Sequence, residues 1–375
     1  MNKKNVIIIM IDGGRLDKAQ QSSTFNQLKT KSVFFSNSIT YGPHTIAAMH
    51  AVFSGSYGTR TGTNSYWSTF QFKKNKFKTL TEYLKENNYE TYADVINQLV
   101  VPKQGFDNYV VHDELNDDLV KRHTNLLDEM YQKNSNNKNF FLYLHYSKIH
   151  TGIMNEVLKI YDNFNNDFFS NKPQNELRYD KLFESAEHYL NEILDKIHQL
   201  ELDKNSIILV MSDHGISVGE KVGERAYGAF CYDYTLRTLT YFLIPNSNSM
   251  EIKQQIRTID FMPTVLDFLN ISLDDSYSNL DGKSLLPLIN GNTIPEQYAF
   301  SETGNPLKDK APPKEPNTKS IRTSNWKLIF NEYDDSKELY NLQLDPNENN
   351  NLIGTGEKIE ELLWNELQNL INNRD

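Results

Sequence analysis

Nearly unbroken apolar runs, rather than alternating ones, mark the first elements of this chain. Asn5–Ile11 (NVIIIMI), FFLYLHY at 140–146, IILVM at 207–211 and a shorter run at 241–244 are rich in β-branched and aromatic residues and end at polar or glycine residues. Such runs predict strands buried on both faces, as in a parallel sheet. Helical periodicity fills the spaces between them, at 80–87, 176–200 and 260–269, and small apolar residues over 46–53 predict a buried helix. Strands alternating with amphipathic helices predict an α/β fold, a central mostly parallel sheet sandwiched by helices. Ligands of such sheets gather beyond the carboxyl ends of the strands. That rule directs attention to Asp12-Gly13-Gly14, to residues 147–150, and to Ser212-Asp213-His214-Gly215.

Past residue 304 the pattern changes. Residues 304–318 are rich in Pro, Lys and Asn and read as a surface loop. SIRTSNWKLIF and ELYNL then look like strands, and 358–370 has helical periodicity. The chain is therefore expected to divide into a catalytic domain, 1–304, and a small C-terminal α+β subdomain, 305–375, with antiparallel strands and a terminal helix.

Composition narrows the class of function. A chain of 375 residues with 38% hydrophobic and 12% aromatic content can bury a large core and is no disordered segment. A net charge of -10 argues against nucleic acid as the partner, while leaving room for a local basic pocket that takes a small anionic ester. The single cysteine, Cys231, excludes an intramolecular disulfide. The apolar run near the N-terminus stops at Asp12 without a signal-type cleavage site, and no stretch reaches the roughly 18 apolar residues of a membrane span. A cytoplasmic protein with no membrane span is expected. The oligomeric state is not legible.

The candidate chemistry sits where buried elements end. Asp12 follows one strand and Asp213-His214 another. Each reads as a metal ligand or, as readily, as a helix cap or turn residue. Two such ends facing one crevice favour a shared divalent ion. Carboxylates with one imidazole suit zinc or manganese better than calcium or magnesium, which stay open. Thr45 opens the helix over 46–53, either as an ordinary cap or as a hydroxyl beside the positive end of a helix dipole, where an anion would bind.

The ordered set of motifs resembles the sulfatase-like family of the alkaline phosphatase superfamily. IDGGRLD (11–17) is similar to that family's IDSLRAD opening, and TIAAMHAVFSG (45–55) with GSYGTRTG (55–62) to its TLPSLASLLTG and GLYPxxHG segments. LYLHYSKIH (142–150) resembles LFLHYxDPH, and VMSDHG (210–215) resembles TSDHG. YDYTLRTLTYFLIP, RTIDFMPTVLDFLNI, DGKSLLPLI, IRTSNWKLI and ELYNLQLDPNENNNL then follow in the family's order, so the likeness covers nearly the whole chain.

The resemblance implies roles for particular residues. Asp12, Thr45, Asp213 and His214 would bind one divalent metal ion, Thr45 would be the nucleophile, and His150 would contact the substrate anion or the leaving group. Asn64, Asn97 and Arg225 would serve as substrate-binding residues. The departures matter as much. Sulfatases carry Cys or Ser in a C/S-x-P-S/A-R signature and oxidise it to formylglycine. Here Thr45, Ala47 and Met49 stand at the Cys/Ser, Pro and Arg positions, and a threonine, with a methyl on its β-carbon, cannot yield formylglycine. Gly13 replaces one carboxylate of the family's Asp pair, and a single metal is expected. From these departures the expected function is hydrolysis of a phosphate mono- or diester through Thr45 and a covalent intermediate. The alternatives are a sulfatase, a phospho-group transferase, or a catalytically silent binding protein.

Overall fold

The structure, a computed structural model, describes residues 4–134, 138–157, 170–224, 228–305 and 313–372. Its centre is an eight-stranded sheet in the order Met250–Ile252, Val33–Phe35, Thr240–Leu243, Ser206–Met211, Asn5–Ile11, Phe140–Tyr146, Glu90–Val95, Asn108–Val111. Thr240–Leu243 runs against its two neighbours and every other pairing is parallel. The expected α/β sandwich is what the chain builds.

The apolar runs explain the layering. Successive residues of the Asn5–Ile11 strand point to opposite faces, so Ile7, Ile9 and Ile11 enter one core while Val6, Ile8 and Met10 enter the other. The first core is closed by the long Lys172–Gln199 helix, through Tyr179, Phe183, Tyr189, Leu190 and Ile193. The second is closed by the Thr45–Ser54 helix, through Met49, Val52 and Phe53, and by the Phe261–Phe268 helix. No described helix is long and apolar enough to cross a membrane.

A four-stranded antiparallel sheet, Ala299–Thr303, Thr318–Arg322, Trp326–Asn331 and Ser336–Asn341, forms the C-terminal part. The Lys358–Asn372 helix packs on it through Leu363 and Leu367, beside Ile321, Leu328 and Leu339. The first strand of this sheet precedes residue 304, so the sheet begins inside the expected catalytic segment. Ala299–Thr303 pairs with Thr318–Arg322 and also bonds back to the main domain, where the Glu302 N–H donates to the Tyr41 carbonyl at 3.0 Å.

Candidate active site

Strand register brings the candidate residues together. Ile11 pairs with Tyr146, Met10 with Met211, and the Asp12 N–H donates to the Tyr146 carbonyl at 3.0 Å. Three central strands thus end side by side, and Asp12, Ser147 and Ser212-Asp213 emerge at one edge. Gly13 makes the turn after Asp12 with φ +72, a conformation that glycine adopts without strain. A β-carbon there would lie 2.8 Å from Ile216 Cγ1. The Gly13 N–H donates to Asp213 Oδ1 at 3.1 Å, which ties the two strand ends to each other.

Thr45 is the first residue of its helix, and His44 is the N-cap, without a side-chain cap bond. The Thr45 hydroxyl is therefore not spent on capping. It stands 3.4 Å from Asp12 Oδ2 and 3.3 Å from His214 Nε2. One carboxylate oxygen each from Asp12 and Asp213 and one ring nitrogen of His214 lie within 4.8 Å of one another. No member of this cluster comes from beyond residue 304.

The donor set fits a cation. His214 Nδ1 donates to the Gly215 carbonyl at 2.7 Å, so in the neutral ring Nε2 carries the lone pair. That lone pair faces Asp213 Oδ2 at 3.2 Å and Asp12 Oδ1 at 3.8 Å. Both carboxylate oxygens are buried without a hydrogen-bond donor among the described residues. Buried acceptors turned toward one another are costly unless a positive charge lies between them. Asp12, Asp213, His214 and the Thr45 hydroxyl are the groups that would hold a divalent metal here.

The electrostatics of the site are uneven. Burial opposes ionisation of Asp12, but the positive charge of His150 and a hydrogen bond from His145 outweigh it and hold the carboxyl well below its usual range. Asp213 is shifted up, first by burial and then by the charge of Asp12. Burial, with the charge of His214, pushes His44 down to about 3, so its ring is neutral at ordinary pH.

His150, on the short Lys148–Gly152 helix, approaches with Nδ1 3.6 Å from Asp12 Oδ1 and keeps 26% of its side chain exposed. Asn64 and Asn97 make contacts of their own. Asn64 Nδ2 donates to Glu315 at 3.5 Å, and Asn97 Oδ1 accepts from the Leu99 N–H at 3.0 Å on an exposed turn. Arg225 lies outside the described residues. Sequence reasoning missed His145, fully buried at the end of the Phe140–Tyr146 strand with Nε2 3.1 Å from Asp12 Oδ2. Its signal was a lone imidazole inside an apolar run.

The family model described as Sulfatase matches residues 4–271, and a model of the N-sulphoglucosamine sulphohydrolase C-terminal region matches 227–373. The chain is 29% identical over 191 residues to arylsulfatase K of Rattus norvegicus, covering 49% of this chain and 32% of that protein. It is 30% identical over 174 residues to an N-acetylglucosamine-6-O-sulfatase of Bacteroides thetaiotaomicron, covering 44% of this chain and 29% of that one. The chain thus matches only about a third of the length of these relatives. A structure solved in complex with its substrate D-glucosamine-2-N,6-O-disulfate superposes with a TM-score of 0.76 at 17% identity, over 98% of this chain and 97% of that one.

These matches correct the expectation of a phosphate ester. The family and the relatives are sulfatases, so the sulfuric-ester alternative is the better supported one. The inference from Thr45 and Met49 failed for a physical reason. Thr45 bears on how a nucleophile is made, not on which anion the pocket accepts. Met49 is wholly buried against the sheet beside Val52 and Phe53 and reports packing. The residues that gather at the sheet edge lie within the matched segment, and the chain belongs to the sulfatase family.

Proposed function

We propose that this chain hydrolyses sulfate esters, with Thr45 as the unmodified nucleophile. The observation that carries the reading is that the sulfatase match, residues 4–271, encloses an intact cluster of Asp12, Thr45, Asp213 and His214. A divalent ion, when bound, supplies positive charge that lowers the pKa of the Thr45 hydroxyl and offsets negative charge on the sulfuryl oxygens. Zinc and manganese are the ions this ligand set favours.

The remaining work falls to the chain. Thr45 opens a ten-residue helix whose free N–H groups and dipole face the anion. The Thr45 hydroxyl gives up its proton to solvent, Oγ1 bonds to sulfur as the sulfur–oxygen ester bond breaks, and the ester oxygen leaves as an alcohol. His150 gives that oxygen its proton. Its side chain stays 26% exposed beside Asp12, where a bound ester can reach it. Water then attacks the sulfur of sulfated Thr45, releasing sulfate and restoring the hydroxyl. Asp12 and Asp213, held by Gly13 and His145, keep the hydroxyl in line.

Sulfated carbohydrates are the substrate class we favour, because similar proteins are an N-acetylglucosamine-6-O-sulfatase and one solved with a disulfated glucosamine. The test is sulfate release, measured by ion chromatography, from 4-nitrophenyl sulfate, choline sulfate and glucosamine sulfates. Metal-stripped protein reloaded with zinc, manganese, calcium or magnesium is assayed in parallel. Release that needs a metal and disappears in Asp213→Asn supports the reading. No release from any ester with any ion would refute it.

A further inference from the structure

A second buried set of ligand-type side chains shares no residue with the Asp12, Asp213 and His214 cluster, although the His112 ring lies 6.2 Å from that of His145. Asp94 is on the Glu90–Val95 strand, His112 directly follows the Asn108–Val111 strand, and His123 is on the Leu119–Asn134 helix. All three are buried, and a carboxylate oxygen and one nitrogen from each ring lie within 4.8 Å of one another. We propose that Asp94 Oδ1, His112 Nδ1 and His123 Nε2 bind a second divalent ion of the zinc class, separate from the ion of the catalytic cluster.

Three observations carry this. First, His123 Nε2 is buried with no hydrogen-bond partner among the described residues, although it lies 3.4 Å from Asp94 Oδ1. An imidazole nitrogen left unmade in the interior is costly, and an ion between it and the carboxylate removes that cost.

Second, the far side of each ligand is held. His123 Nδ1 lies 2.7 Å from the Tyr189 hydroxyl, and His112 Nε2 lies 3.0 Å from Ser147 Oγ. Asp94 Oδ2 accepts from Arg122 Nε at 2.6 Å. Ligating histidines and carboxylates ordinarily have such outer partners, which fix ring orientation and tautomer. His112 Nδ1 now stands 2.6 Å from Asp94 Oδ1. On binding, its proton shifts to Nε2, where Ser147 Oγ accepts it, so no proton need leave the protein.

Third, the charge and access are suitable. The Arg122 guanidinium opposes a cation, but Asp117 Oδ2 lies 3.2 Å from it and offsets its charge. A cleft of about 490 Å³, lined by Asp94, Asn108, Asp117, Lys121, Arg122 and Glu129 among others, leads to Asp94. Two imidazoles and one carboxylate are a nitrogen-rich set that prefers zinc-class ions to calcium or magnesium, with a fourth position for water. Such an ion would clamp two strands and a helix on the flank of the sheet next to Phe140–Tyr146.

The experiment counts bound zinc by elemental analysis after stripping, reloading and passage through a zinc-buffered column. The native chain is expected to hold two equivalents. The double variant Asp213→Asn/His214→Ala should keep one. Adding His123→Ala should remove the last equivalent, while circular dichroism shows the same fold. Cobalt(II) in the double variant should give the visible absorption of a nitrogen-ligated, four-coordinate ion. Uptake of a single equivalent by the native chain would overturn the proposal, as would a folded double variant with no zinc or an equivalent that survives loss of His123. If the His123 variant does not fold, the native and double-variant counts still decide the matter.

Discussion

His145 Nε2 meets Asp12 Oδ2 at 3.1 Å, inside a site where neither side chain is more than 1% exposed. The same Oδ2 atom stands 3.4 Å from the Thr45 hydroxyl. His145 donates to the oxygen beside which the proposed nucleophile, Thr45, sits, and so would act as a positioning residue for Asp12. Replacing His145 by Ala is expected to weaken metal binding or turnover by roughly ten- to a hundredfold, the usual cost of losing an outer partner of a ligand. His145→Asn, which keeps a donor, should recover part of the loss. Isothermal titration with metal, alongside kcat and KM, measures this. Equal behaviour of the Ala variant and the native chain would remove His145 from the account.

Thr45 gives the sharpest mutational contrast. Thr45→Ala should cut sulfate release by roughly a thousandfold or more, in line with losing a nucleophile, while the two carboxylates and His214 still bind metal weakly. Thr45→Ser should retain much of the native turnover, since only a methyl is lost. Intact-mass and peptide-mass measurements are expected to find residue 45 as plain threonine. An Ala variant as active as the native chain would show that Thr45 is not the attacking group.

Much of the candidate site was legible because Asp12 and Asp213-His214 each follow an apolar run that reads as a buried strand. Asn5–Ile11 agrees with the structure in both boundaries, and so does 140–146. Asp12 and Asp213 could therefore be placed at one edge without coordinates. The His145 contact was hidden because strand alternation does not say which neighbouring strand an interior side chain meets. The Asp94, His112 and His123 group was hidden for a stronger reason. Its members come from a strand, the residue after another strand and a helix, with no motif spacing linking them, and only the fold brings them together. Asn97, a substrate-binding residue only by family resemblance, accepts from the Leu99 N–H on an exposed turn, a role that a loop asparagine commonly takes.

A buried charge network ties the Asp233–Leu236 helix to the four-stranded sheet. Asp233, on the Asp233–Leu236 helix, accepts from Arg322 Nη2 at 2.7 Å and from Lys327 Nζ at 3.0 Å, and Lys327 also reaches Glu348 at 2.8 Å. Asp233→Ala leaves two buried cations with one carboxylate. The expected cost is about 3–5 kcal/mol, as for other broken buried pairs, with no change in metal content. Urea denaturation measures it, and a cost below about 1 kcal/mol would mean that solvent reaches this network.

His50 sets an acid limit on stability. Its Nε2–H donates to the Leu99 carbonyl at 3.1 Å, and burial pushes the ring down to about 4 from an ordinary 6.5. Between those values the unfolded chain binds more protons than the folded one, so this contribution is complete above pH 6.5 and is lost as the pH falls toward 4. The loss amounts to about 3 kcal/mol at most. His50→Gln, which keeps a donor for Leu99, should flatten the fall in urea midpoint over that range. An unchanged pH profile would assign the acid sensitivity to other groups.

The most direct test of the central claim is a side-by-side measurement of kcat/KM for 4-nitrophenyl sulfate and for 4-nitrophenyl phosphate and its diester, on one metal-loaded preparation. The Asp213→Asn variant serves as the control for contaminating activity. A site that takes sulfate esters through Thr45 should turn over the sulfate faster than either phosphate ester, with all of that activity lost in the control. A phosphate ester as the preferred substrate, or sulfate release that persists in Asp213→Asn, would contradict the account.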